Sequence, residues 1–175
     1  MKDHKFIYQK PLYISFLPDY DKVNSQLLKA FFREKNGPFS RHSHFELNRF
    51  ENIYIQESVL PEIEPLKLHI LTEAKKILKK NNLKYGFWFN EMNNGDLTVR
   101  HNHEEKNELL SCVYYLQIAS NCGDLLIYYD DTIERIKPEE GKIIFFRPSL
   151  HHEVEENKSK KSRISIAFNF GIMGE

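Results

Sequence analysis

From residue 85 onward the chain breaks into short apolar runs separated by turn residues. The runs cover 85–92, 97–103, 110–118, 124–129, 132–137, 142–147 and 163–170. Between them stand Asn93-Asn94-Gly95, Asn121-Cys122-Gly123, Pro138-Glu139-Glu140-Gly141 and Asn157-Lys158-Ser159. Several short strands at this spacing predict a sandwich, a barrel or a jelly roll.

Residues 1–85 read differently. Leu12-Tyr13-Ile14-Ser15-Phe16-Leu17 predicts a strand that Pro18 stops. Val23, Leu27 and Phe31 recur at four-residue spacing, with Leu28 and Phe32 beside them. That stripe predicts a helix over 20–34. Leu66, Ile70, Ala74, Ile77 and Leu78 predict a second helix over 62–80. Lys75, Lys76, Lys79 and Lys80 crowd its last turns, where cations favour the helix dipole. Residues 41–56 show no clear period, apart from a short strand expected at Asn52-Ile53-Tyr54-Ile55. No repeat or low-complexity linker divides the halves. The expectation is a single domain over 1–175, with a helical support region at 1–85 and a β core at 86–172.

Composition removes several classes. Hydrophobic residues make up 41% and aromatics 13%, which excludes a disordered chain. Lys and Arg number 25 against 25 Asp and Glu, and this balance argues against a dedicated nucleic-acid binder. Cys112 and Cys122 are too few for a disulfide framework and are expected to be reduced. No stretch approaches the roughly 18 apolar residues of a membrane span, and the N-terminus lacks a signal-peptide core. The expected location is the cytoplasm, with no membrane partner. The oligomeric state leaves no trace in the sequence.

Three histidines carry the chemistry. In a strand, residues two apart share a face, so Leu97, Val99, His101 and His103 line one side. Two imidazoles placed so can reach one metal ion. The stretch Leu150-His151-His152-Glu153-Val154 follows an apolar strand and offers a third ligand. The last strand alternates. Arg163, Ser165, Ala167 and Asn169 fall on one face, and Ile164, Ile166, Phe168 and Phe170 on the other. An Arg and a Ser two apart on a strand can grip a carboxylate. An outer polar face over an ordinary core gives the same alternation.

The order of these features is more specific than any one of them. Thr98-Val99-Arg100-His101-Asn102-His103 is followed by Ser111-Cys112-Val113-Tyr114-Tyr115-Leu116. Gly141-Lys142-Ile143-Ile144-Phe145-Phe146, His152-Glu153-Val154 and Arg163-Ile164-Ser165-Ile166 come after. This series resembles the Fe(II)- and 2-oxoglutarate-dependent dioxygenases, closest to the prolyl-hydroxylase branch and to bacterial and phage oxygenases. The resemblance covers roughly residues 86–171. It implies a mainly β fold with flanking helices: a double-stranded β-helix (jelly roll, cupin-like) core with an N-terminal helical layer. It implies Fe(II) as cofactor and 2-oxoglutarate as co-substrate. His101 matches the first iron ligand and His152 the distal one. Arg163 matches the arginine that binds the far carboxylate of 2-oxoglutarate, with Ser165 and Tyr115 in support. Trp88 and Asn90 match pocket-lining positions. Val99, Val113, Leu126 and Ile143 are expected to supply an apolar lining.

One position departs from the pattern. These enzymes place a carboxylate two residues after the first histidine, in a 2-His-1-carboxylate triad. Here that residue is His103. Three readings follow: a three-histidine site of His101, His103 and His152; a triad shifted to His103 and Glu105; or a degenerate site. The strand phase favours the first. His151 is the neighbouring alternative to His152. The functional expectation is an Fe(II)/2-oxoglutarate dioxygenase that hydroxylates a small-molecule or peptidyl substrate. The alternatives are a non-catalytic metal or small-molecule binding module and a cupin-like three-histidine dioxygenase.

Overall fold

The computed structural model describes residues 12–103 and 108–172. Strand β1 (Leu12–Phe16) leads into helix α1 (Tyr20–Glu34). Strands β2 (Ser40–Glu46) and β3 (Arg49–Ile55) follow, then α2 (Glu64–Leu78). The remaining elements are β4 (Leu83–Met92), β5 (Thr98–His101), β6 (Leu110–Gln117), β7 (Leu125–Tyr129), β8 (Thr132–Ile136), β9 (Lys142–Phe146), β10 (His151–Val154) and β11 (Arg163–Ile172). No helix among the described residues is long and apolar enough to cross a membrane.

The strands form two sheets. The larger runs β1-β9-β6-β11-β4-β3-β2 and the smaller β5-β10-β7-β8. Neighbours in each are antiparallel. The two sheets close on a shared core of Tyr115, Leu125, Ile127, Ile136, Ile144, Phe146 and Leu150. The result is a double-stranded β-helix with α1 and α2 laid on the outer face of the larger sheet. The first half supplies that helical layer and also β1, β2 and β3, which lie at the two sides of the large sheet.

The helices bury their stripes against Ile143, Phe145, Ile164, Ile166, Phe168 and Phe170. Burying each such side chain is worth about 1.5–3 kcal/mol. Phe32, one step off the α1 stripe, remains exposed. A polar clamp fixes α1 in place. The buried Asn24 donates to the Leu116 carbonyl at 2.9 Å, and the Tyr114 hydroxyl donates to Asn24 Oδ1.

β11 therefore has two buried faces. Its apolar face meets the helices, and its polar face of Arg163, Ser165 and Asn169 turns toward the smaller sheet. Gly141 closes the turn before β9 with φ +80°. A Cβ there would stand 2.5 Å from Tyr20 Cγ. Its amide donates to the Tyr115 carbonyl at 3.0 Å, and its carbonyl accepts from Leu17 at 2.9 Å. Cys112 and Cys122 are free and buried.

Candidate functional site

The β5–β10 ladder makes His101 and His152 directly opposed Cα partners. Their ring centroids lie 4.3 Å apart. His103 follows two residues after the end of β5, where its backbone amide donates to the Pro148 carbonyl at 2.8 Å. Its ring centroid is 5.1 Å from that of His101 and 5.2 Å from that of His152. One ring nitrogen from each of the three lies within 4.8 Å of the others, a spacing that can hold a metal ion.

The backbone sets the tautomers. His101 Nδ1 lies 2.8 Å from the Val99 carbonyl, and His152 Nδ1 lies 3.0 Å from the Leu150 carbonyl. A carbonyl only accepts, so in each neutral ring Nδ1 carries the proton and Nε2 keeps its lone pair. Burial, and then the neighbouring His101 and His103, hold the His152 pKa well below its ordinary value. His152 therefore stays neutral, as a metal ligand must be.

His151 lines the same cavity but is not one of the three converging histidines. It is exposed, and its Nε2 lies 3.5 Å from Asn102 Nδ2. The alternation along β10 thus separates the two adjacent histidines. Glu105, the alternative carboxylate, lies outside the described residues.

Arg163 is 1% exposed, yet no carboxylate among the described residues pairs with it. Its Nη1 reaches only Met92 Sδ at 3.4 Å and Ser165 Oγ at 3.5 Å, and its Nε has no partner. Guanidinium stays charged when buried, and an unpaired buried charge costs several kcal/mol. Tyr115 stands with its ring centroid 5.2 Å from Arg163 Cζ, and its hydroxyl is also unpartnered. Burial raises the Tyr115 pKa against the pull of Arg163, so the hydroxyl keeps its proton to donate. Ser165 sits between Asn90 and Tyr115 across β4, β11 and β6. Asn90 donates to the Glu51 carbonyl at 3.0 Å and leaves Oδ1 without a partner. Of these groups the Arg163 guanidinium and the Ser165 and Tyr115 hydroxyls can donate to a carboxylate, whereas Asn90 Oδ1 can only accept.

A cavity of about 800 Å³ joins the two clusters. Arg163, Ser165, Asn90 and Trp88 line it together with the three histidines. Tyr115 is not part of its wall. Val99 and Val113 line it as expected, whereas Leu126 and Ile143 do not. Leu125 and Phe146 take those places. Both strands are apolar on both faces, so their sequence did not reveal which residues point inward.

Sequence reasoning expected the strand at 52–55 but missed β2 and its pairing with it; the β2–β3 hairpin adds His44, Glu51, Asn52 and Tyr54 to the wall. His42, paired with His44 by spacing, points elsewhere and bonds the Lys35 carbonyl. Arg49 pairs with Glu51 at 2.8 Å, and burial still raises the Glu51 carboxyl. Asn157 was expected only as part of a turn. Fully buried, it donates to the Met92 carbonyl at 2.8 Å and ties the turn before β11 to the strand beside Arg163.

Residues 87–171 match the 2OG-Fe(II) oxygenase superfamily. That segment belongs to it. It carries β5 through β10 and all but the last residue of β11, with His101, His103, His152 and Arg163, and the superfamily's cofactors are Fe(II) and 2-oxoglutarate. Solved structures share the oxygenase fold over nearly the whole chain. A Pseudomonas putida prolyl-4-hydroxylase is 16% identical, with TM-score 0.67 over 95% of this chain and 90% of its own. A Trichoplax adhaerens prolyl hydroxylase, in complex with a hypoxia inducible factor peptide fragment, is 14% identical. Its TM-score is 0.75 over 94% of this chain and 84% of its own. The non-heme alpha ketoglutarate dependent epimerase SnoN from nogalamycin biosynthesis is 14% identical. Its TM-score is 0.69 over 91% of this chain and 77% of its own. No curated protein sequence matches the chain.

Proposed function

We propose that the chain is a 2-oxoglutarate-dependent hydroxylase with a three-histidine iron site. His101, His103 and His152 would hold Fe(II). Arg163 would anchor the far carboxylate of 2-oxoglutarate, with the Ser165 hydroxyl in support and Tyr115 standing against the guanidinium from behind the cavity wall. The observation that carries this reading is the buried, unpaired Arg163 in the same cavity as three converging histidines.

When bound, the iron and co-substrate supply the oxidising chemistry: oxygen is consumed, 2-oxoglutarate becomes succinate and CO2, and the substrate gains a hydroxyl group. The chain's own residues prepare that site. The Val99 and Leu150 carbonyls orient His101 and His152 and keep their Nε2 atoms unprotonated. Arg163 neutralises a carboxylate that would otherwise be costly to bury. Trp88 packs against His103 and Phe146 against His152, which keeps water from that side of the cluster.

Hydroxylation is the simplest outcome for such a site. The named neighbours include an epimerase as well as prolyl hydroxylases, and either a peptidyl or a small-molecule substrate fits a cavity of this volume. His103 in the place of a carboxylate favours one rival, a binding module without turnover. Iron-dependent conversion of 2-oxoglutarate to succinate by purified protein, lost in His101→Ala, supports the enzyme. Tight iron and 2-oxoglutarate binding with no succinate formed would support the module.

A further inference from the structure

The strand that carries His101 is held from one side. β5 is an edge of the smaller sheet and pairs with β10. His101 stands opposite His152 and Thr98 opposite Val154, and the register shifts between those two pairs. A short edge strand with an interrupted ladder opens locally at low cost. Ties outside the ladder therefore matter at both its ends. Beyond its last residue, the His103 amide donates to the Pro148 carbonyl at 2.8 Å. At its start the tie is Arg49.

Arg49 opens β3, directly after the Leu47-Asn48 turn of the hairpin. Its side chain is 10% exposed and does not line the cavity. Nη2 donates to the Leu97 carbonyl at 2.9 Å and to Thr98 Oγ1 at 3.0 Å. The same nitrogen donates to Glu51 Oε1 at 2.8 Å, and Nε lies 3.9 Å from Asp96 Oδ2. One guanidinium thus joins the hairpin to residues 96–98. Both sides of the joint line the cavity, Glu51 from β3 and Thr98 from β5. Val99 follows Thr98, and its carbonyl holds His101 Nδ1 at 2.8 Å. The hairpin gains from the same joint. β3 meets β4 at Ile53 and Phe89, and the Asn90 amide reaches the Glu51 carbonyl. Toward the turn from there, Arg49 is what fastens it.

We propose that Arg49 is a positioning residue that couples the β2–β3 wall of the cavity to the metal-ligand strand β5. A metal ion on His101 then steadies the hairpin, and a fastened hairpin steadies His101, because coupling between two sites is reciprocal. For the metal this rests on the three-histidine reading above; for the joint between hairpin and β5 it does not. A plain structural role for Arg49 would be to neutralise Glu51, and the two roles separate by experiment.

Amide hydrogen exchange read by mass spectrometry tests the proposal, in metal-free protein and with Co(II), which also takes imidazole ligands. In metal-free Arg49→Met, segments 97–103 and 44–52 should both exchange about tenfold faster than in wild type, with β6 and β11 unchanged. Co(II) should slow 97–103 in both proteins, but 44–52 only where Arg49 is present. Its affinity should fall by about tenfold in the variant. Adding Glu51→Gln removes the carboxylate left without its cation and should restore neither exchange nor affinity. Arg49→Lys, which keeps the charge without the planar fork, should also fail to restore them. The proposal is overturned if 97–103 exchanges as in wild type without Arg49, or if Co(II) still protects 44–52. Restoration by Glu51→Gln would also overturn it and leave Arg49 as a neutraliser of that carboxylate. Wild-type protein that binds no Co(II) would withdraw the three-histidine reading, and the metal-free exchange would still decide the joint.

Discussion

His101 and His152 face each other across the β5–β10 ladder, their ring centroids 4.3 Å apart with each Nδ1 against the backbone carbonyl two residues before it. Two strands distant in sequence thus present two Nε2 lone pairs at one point, before any metal arrives. His103 completes the group from outside the strand, and its position depends on the backbone bond to Pro148.

The buried neutral state of His152 gives a pH dependence. Its folded pKa lies well below the ordinary 6.5. Below pH 6.5 the unfolded chain takes up a proton that the folded chain refuses, so stability falls as pH falls. Above 6.5 both states are neutral there and this contribution is flat. Metal-free protein should lose up to about 1.4 kcal/mol per pH unit from this residue. Urea unfolding between pH 7 and pH 5 should show a shallower slope in His152→Gln. An identical slope would mean that His152 titrates normally.

Arg163 is a buried charge with no carboxylate partner among the described residues, so removing it should relieve the fold. Arg163→Met keeps much of the volume. The metal-free variant should be as stable as wild type or more so. Its affinity for 2-oxoglutarate should fall by about a hundredfold. Calorimetric titration beside thermal unfolding separates this from a structural role, which would lower stability and leave the affinity alone.

The Asn24–Tyr114 clamp joins α1 to β6, away from the cavity. Tyr114→Phe removes a buried donor and leaves Asn24 Oδ1 unsatisfied. The cost should be about 1–3 kcal/mol in urea unfolding, with 2-oxoglutarate affinity unchanged. A neutral result would mean that the clamp contributes nothing net.

Gly141→Ala should be more damaging. The new Cβ would meet the Tyr20 ring at a backbone conformation of positive φ. The turn it distorts bonds both Tyr115 and Leu17, the residue after β1. A loss of more than about 1 kcal/mol is expected in the same unfolding assay.

Much of the β core was legible because turns and alternation both leave marks in sequence. The phase that joined Val99 to His101 and the alternation of β11 proved to be those of the structure. The alternation of Arg163, Ser165 and Asn169 could not say whether water or a second sheet covers that face. The same pattern arises either way, and only the closure of the smaller sheet decides it. The β2–β3 hairpin escaped because its two-residue turn is Leu47-Asn48, at φ 50° and 64°. Such turns usually announce themselves with glycine. A strand was expected at 52–55, but without β2 beside it the wall that Glu51, Asn52 and Tyr54 add to the cavity went unseen. Leu125 and Phe146 were missed for a different reason: a run apolar on both faces carries no phase. Asn157 read only as a turn residue, since its bonds to Met92 at the end of β4 and to Lys161 depend on how that turn docks on the sheet.

The central claim is that one cavity binds Fe(II) through three histidines and 2-oxoglutarate through Arg163. The most direct test is an anaerobic Fe(II) titration in the presence of 2-oxoglutarate, watched for the visible charge-transfer band of the chelate. The account predicts a saturable band in wild type, none in His152→Ala, and one in Arg163→Met only at far higher 2-oxoglutarate. Iron bound without a band in wild type, or an unchanged band in His152→Ala, would contradict it.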